Sequence, residues 1–290
     1  MSNYVIVTDS TIDLSRDMLK ELNIEALPLS FYINGKEYLN SIESPEMQPD
    51  EFYNLLKSKA NVKTSQVNLE TYMTCFENHL EKGEDIIYIA LSSGISGTYN
   101  AAKVAAEELS SKYPERKIEV IDSLLACMGE GFLVYFAVKK KNEGMPMEEL
   151  IDWININKMK VCSWFTVGDL FHLKNGGRIS FATAMFGTML GIKPIMHMDD
   201  TGHLIPMGKV RGRYNALLEL VSKLKTKIIN ENNQTVFISH ADCKDDALMM
   251  ERLIKKDKRV SEVYINDIGP VIGSHAGPGT VSLFFFGNER

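Results

Sequence analysis

At 290 residues, 44% hydrophobic and 24% charged, the chain is long enough for two cores of ordinary domain size. A net charge of -6 and a pI near 5.6, with both signs scattered in short mixed clusters, exclude nucleic acid and an anionic membrane surface as main partners. The longest apolar stretch, residues 132–138, is far short of the roughly 20 residues of a membrane helix, and no basic leader precedes the first apolar run, so no stable membrane insertion and a cytoplasmic location are expected.

The first half alternates short apolar runs with amphipathic stretches, which predicts strands joined by crossover helices into a parallel sheet. Residues 4–8 form the first strand, ending at Asp9, Ser10 and Thr11, with Asp13 and Ser15 as capping types ahead of a helix through 18–22. Residues 24–32 and 36–39 read as extended pieces about an Asn34-Gly35 turn, and a helix opens after Pro49 over 50–58. Thr64-Ser65-Gln66 reads as a polar break before a helix over 69–80. A strand over 85–91 runs into Ser92-Ser93-Gly94-Ile95-Ser96-Gly97-Thr98 and then an alanine-rich helix over 99–109. The strand 117–121 ends in Asp122-Ser123, and helices follow over 125–140 and 146–157.

After about residue 155 the alternation loosens. Residues 161–167 read as extended, 168–174 as helical, and Asn175-Gly176-Gly177-Arg178 as a turn with positive-φ residues. Residues 192–198 and 204–209 form an expected antiparallel hairpin about Asp199-Asp200-Thr201-Gly202. Helix and strand then alternate over 213–229, 235–239, 245–255 and 260–265, before a Gly/Pro-rich loop over 269–279 and a last strand over 280–286. The expected fold is α/β in two domains: a parallel-sheet, Rossmann-like domain over 1–155, and a second α/β domain over 156–290 with a mixed or antiparallel sheet.

Three features carry chemistry. The strand ends Asp9-Ser10, Thr64-Ser65, Ser92 to Thr98 and Asp122-Ser123 would converge on one edge of a parallel sheet, where ligands bind. A helix start at Gly97 adds unpaired N–H groups, so an anion is the preferred guest, although each residue alone also serves as a cap. Second, the stretch 181–198 has almost no charge except Lys193, and with Met207 it holds five of the chain's 15 methionines. Phe181, Met185, Met189, Ile192 and Met196 are therefore candidates for a pocket that fits a floppy apolar guest, and the stretch is a candidate lid. Third, the glycine-dense loop 269–279 carries His275, and Arg211 stands with Lys209 and Arg213 at a strand-to-helix junction where it could meet a phosphate. The nucleotide signatures GxxxxGK[ST] and GxGxxG and the hydrolase signature GxSxG do not occur, and Cys75, Cys127, Cys162 and Cys243 lack a CxxC pair, so neither a cofactor nor a metal site is expected.

The segments Val5-Ile6-Val7-Thr8-Asp9-Ser10-Thr11, Thr64-Ser65-Gln66, Leu91 to Tyr99, Gly177-Arg178-Ile179-Ser180, Lys193-Pro194-Ile195 and Gly269 to Thr280 together resemble the DegV family of bacterial fatty-acid-binding proteins, in that family's order and over nearly the whole chain. The resemblance implies a non-catalytic carrier that holds one long-chain fatty acid between its domains. Thr64 and Ser96 would bind the carboxylate, with Ser65, Gly97 and His275 beside them, and the second domain would supply much of the acyl-chain pocket. It further implies an ATP-dependent kinase subunit as partner, which phosphorylates the bound carboxylate with help from His275 and Arg211 and so feeds phospholipid synthesis. Two alternatives stay open at this point: a Ser96/His275 acyltransferase or esterase, and a module for a phosphorylated metabolite.

Overall fold

A computed structural model describes residues 3–180 and 191–290 of the chain. A four-stranded, wholly parallel sheet is ordered β2 (Glu25–Leu27), β1 (Tyr4–Asp9), β6 (Asp85–Ala90) and β7 (Ile118–Asp122). Every residue of β6 is buried, as a near-continuous apolar run in a sheet covered by helices requires. Helices α3 (Leu69–Glu81), α4 (Thr98–Lys112) and α5 (Met128–Asn142) pack against it.

Beside this sheet lies a small antiparallel one, ordered β4 (Lys36–Asn40), β3 (Leu29–Ile33) and β5 (Val62–Ser65). Asn34 and Gly35, at φ 52° and 88°, make the tight turn between β3 and β4 that right-twisted hairpins prefer. The strand β5 corrects the sequence reading of Thr64-Ser65 as a break: Thr64 pairs with Phe31 and Ser65 with Ser30. Its polar sequence hides a strand because backbone pairing with β3, not an apolar face, holds it extended.

The second half forms a six-stranded mixed sheet, ordered β10 (Leu204–Arg211), β9 (Ile192–Met198), β8 (Val161–Thr166), β13 (Val281–Phe286), β11 (Gln234–His240) and β12 (Val260–Asp267). Only β11 and β12 pair in parallel. Helices α8 (Arg213–Lys227) and α9 (Lys244–Ile254) cover one face and bury Cys162, Trp164, Leu220, Val236 and Phe285. The other face receives α5, which is apolar nearly all round until Lys139, Lys140 and Lys141 meet the negative end of its dipole. Its Phe132 ring lies 5.2 Å from Phe237 and 4.9 Å from Phe286, so one helix of the first half cements both sheets.

The Gly/Pro-rich stretch after β12 is the second correction. It folds as a helix, α10 (Pro270–Ala276), with Pro270 in its first turn and Thr280 Oγ1 donating to the carbonyls of Ala276 and Gly277, both at 2.9 Å. Low glycine propensity is overridden by packing: α10 sits on β3, β5, α2 (Pro49–Lys57) and α7 (Phe171–Asn175). Among the described residues no helix is long and apolar enough to cross a membrane, and all four cysteines are free thiols.

Candidate functional site

A cavity of about 500 Å³ lies where the carboxyl end of β6, the small sheet, α10 and the mixed sheet meet. That volume falls within the roughly 300–1,000 Å³ of small-molecule sites. Leu29, Leu91, Ile95, Leu173, Val271 and Ile272 supply apolar wall from both halves of the chain. The floor is a strand surface: β8 contributes Ser163 and Phe165, β13 contributes Ser282 and Phe284, and the pairs Ser163–Phe284 and Phe165–Ser282 sit directly opposite each other. Alternate residues share a face of a strand, so each pair sets one small and one large side chain side by side.

The polar lining closes into a ring of contacts. Thr64 Oγ1 lies 2.8 Å from His275 Nε2. His275 Nδ1, buried and without a partner among the described residues, faces Gly176, where a Cβ would come within 2.2 Å of it. Arg178 donates from Nη1 to the Gly176 carbonyl and from Nε to the Ile95 carbonyl at 3.0 Å, which ties the turn below His275 to the loop after β6. In that loop Ser96 Oγ is 2.9 Å from Thr98 Oγ1 and accepts the Thr98 N–H at 3.2 Å. Gly97, the N-cap of α4, has an ordinary φ of -80°; the end of the flexible Gln66 side chain lies over it, Oε1 standing 2.1 Å from where a Cβ would be, so a larger residue would push Gln66 aside.

Electrostatically this ring favours an anion. Burial, helped by the nearby Arg178 charge, pushes the His275 pKa down to about 4, so the ring is neutral near pH 7. Thr64, Ser65, Ser96, His275, Arg178 and the positive end of α4 all offer donors or positive potential, and no carboxylate lines the cavity among the described residues.

Of the residues singled out from sequence, Thr64, Ser65, Ser96, Gly97 and His275 come together here. Asp9-Ser10 and Asp122-Ser123 do not line the cavity; Asp9 accepts the Thr11 and Leu91 N–H groups, and Asp122 those of Ser93 and Leu124. Arg211 is exposed at the end of β10, opposite Ile192, and is not a lining residue. Ile192 is half-buried and also off the wall. Met196 is fully buried behind it, clustered with the lining residues Phe165 and Leu173, while Met198, two residues on, does line the cavity. Phe181, Met185 and Met189 lie outside the described residues. Arg178 and Gln66 stand in segments singled out from sequence without a role of their own, and Ser163, Phe165, Ser282 and Phe284 were not singled out. For these strand residues no polar alternation marks the cavity face, because both strands are buried on both sides.

Two α/β halves closing on an apolar cavity whose polar lining joins hydroxyls, an imidazole and a guanidinium define a class of small-molecule pocket proteins. The chain belongs to the DegV family: that family's model, described as an uncharacterised protein family, matches residues 3–288. A DegV domain-containing protein of Clostridium perfringens is 42% identical over 290 residues, covering 100% of this chain and 99% of its own. The solved structure of a fatty-acid-binding DegV family protein from Thermus thermophilus superposes with a TM-score of 0.89 at 27% identity, over 98% of this chain and 99% of that one. DegV of Bacillus subtilis, described as a fatty acid binding protein, gives 0.85 at 30% identity, over 99% and 100%.

Proposed function

We propose that this protein binds one long-chain fatty acid in the cavity, tail along the Phe165/Phe284 floor and carboxylate in the Thr64–Ser96–His275 ring, and presents that carboxylate to a separate ATP-dependent kinase subunit in the cytoplasm. The observation that carries the reading is the pairing of an apolar floor with a ring of donors free of carboxylates. The fatty-acid-binding relatives from Thermus thermophilus and Bacillus subtilis support it. Burying about 15 methylenes at roughly 0.8 kcal/mol each gives on the order of 12 kcal/mol before ordering costs, so the tail supplies affinity. An unpartnered buried carboxylate costs several kcal/mol, so the ring supplies orientation.

The kinase step is what the family resemblance implies: a carboxylate oxygen would attack the γ-phosphorus of ATP held by the kinase subunit, the bond to the β-phosphate oxygen would break and ADP would leave, giving an acyl phosphate for phospholipid synthesis while His275 and Arg211 steady the growing charge. Arg211, being exposed, would act from the partner's side. A serine hydrolase fits less well, because His275 Nε2 is paired with Thr64 and Ser96 Oγ with Thr98. Native mass spectrometry of the purified protein should show one bound fatty acid; a lipid-free protein that also fails to take up added palmitate would refute the reading. In a reconstituted kinase assay, His275→Ala should impair phosphorylation more than binding, and an equal loss of both would contradict its assigned role.

A further inference from the structure

Off the cavity wall, where α3 meets the edge strand β2, Glu25, Cys75 and His79 bring one carboxylate oxygen, one thiol and one ring nitrogen within 4.8 Å of one another. Cys75 and His79 are four residues apart on α3 and so share one face of the helix, while Glu25 opens the edge strand β2. The expectation of no metal site came from the missing CxxC pairs; a helical i,i+4 pair completed by a residue 50 positions away in sequence escapes such a scan.

The surroundings of His79 suit a ligand role. Its Nδ1 lies 2.7 Å from Glu84 Oε2 and its Nε2 lies 3.0 Å from Glu25 Oε2, so the ring stands between two carboxylates. With Nδ1–H kept on Glu84, Nε2 can give its lone pair to a metal held beside the Glu25 oxygen. Asn3 Nδ2 holds Glu84 from behind at 3.3 Å, which gives the carboxylate–histidine support usual for metal-bound imidazole. The Cys75 thiol is 5% exposed and Glu25 is exposed, so the site reaches from sulfur in the protein to oxygen at its surface.

We infer that Glu25, Cys75 and His79 form a site for one divalent ion of the zinc class, with solvent as fourth ligand. Sulfur, imidazole nitrogen and carboxylate oxygen together select zinc and its borderline neighbours over magnesium or calcium. Tetrahedral bonds of the usual length set ligand atoms about 3.5 Å apart, so the trio, now within 4.8 Å, closes in by side-chain rotation when the metal binds. Binding releases the thiol proton and places the metal on the lone pair of Nε2. None of the three lines the cavity, so the ion would tie α3 to β2 without touching the lipid.

The test is a cobalt(II) titration of the chelator-treated full-length protein, followed by zinc displacement. One equivalent should raise a thiolate-to-cobalt charge-transfer band and tetrahedral d–d bands, which zinc abolishes. Cys75→Ser should remove the charge-transfer band, and Glu25→Gln at the surface and the isosteric Glu84→Gln, each checked by circular dichroism for an intact fold, should each weaken binding about tenfold or more. No thiolate band in the wild type, a band that persists in Cys75→Ser, or affinity indifferent to both glutamate variants would overturn the site.

Discussion

Two polar clusters lie beyond the carboxyl ends of β1 and β6, drawn from much the same residue types, and only one of them faces a cavity. In the sealed cluster, Thr8, Asp9, Thr11 and Glu130 are wholly buried. Asp9 accepts the Thr11 and Leu91 N–H groups, and Thr11 Oγ1 lies 2.5 Å from Asp9 Oδ1 and 3.0 Å from Glu130 Oε2. One hydroxyl proton cannot serve both carboxyls, so a carboxyl must carry its own; burial, which raises Glu130 well above the usual carboxylate range, assigns it there. In the open cluster, Thr64 bonds to His275 and Ser96 to Thr98, and Thr64, Ser96 and His275 all line the cavity. Convergent polar groups alone therefore do not mark a site; donors facing an apolar cavity do.

Exchanging roles between the clusters is the sharpest way to break this contrast. Asp9→Ala strips the acceptor from two buried N–H groups and should cost about 3 kcal/mol or more in urea unfolding, whereas Glu130→Gln, which imitates a protonated acid, should cost under about 1 kcal/mol. Equal losses would mean that Glu130 is ionised.

The open cluster should respond in binding instead. Thr64→Val with Ser96→Ala should weaken fatty acid binding by on the order of 2 kcal/mol, about thirtyfold, in a fluorescent-probe displacement assay. The matching fatty alcohol should lose much less, and the unfolding midpoint should move less than in Asp9→Ala. A similar loss for acid and alcohol would place the carboxylate elsewhere.

Acid sharpens the comparison because the two clusters respond with opposite sign. His275, held near 4 against an ordinary 6.5, excludes a proton that the unfolded chain accepts, so its contribution is present above pH 6.5 and is lost as pH falls toward 4. Asp13, beside the sealed cluster and raised by burial to about 7, does the reverse: its contribution is present below pH 4 and is lost as pH rises through 7. His275→Asn should therefore lose about 1–2 kcal/mol less than the wild type between pH 7 and pH 5 in urea titrations. Indistinguishable pH profiles would show that His275 is solvated. The smallest effect belongs to Arg211→Ala, which should leave fatty acid affinity unchanged within about 0.5 kcal/mol, since its side chain is off the wall. Any larger loss would bring Arg211 into the pocket.

How far the site could be read from residues alone follows from where each one's partner lies. Gly97 and Ser96 were legible because strand end, loop and helix start are local. Thr64 and His275 were legible as residues but not as a hydrogen-bonded pair, because 211 positions separate them. Arg211 was the arginine the sequence singled out, and only the docking of the 175–178 turn under α10 decides that Arg178 is the cation at the cavity.

Sequence alone was enough for the α/β class and for the placement of most strands and helices along the chain, since apolar periodicity and turn residues act over a few positions at a time. Tertiary structure alone decided that Thr64 lies on a strand and His275 on a helix, because pairing with β3 and packing on the small sheet outweigh their weak local propensities. It also decided which face of β8 lines the cavity: the strand is buried throughout, with Cys162 and Trp164 under α8 and Ser163 and Phe165 at the cavity floor. A strand buried on both faces does not declare which one meets the ligand, and that choice is fixed by the layers packed on either side.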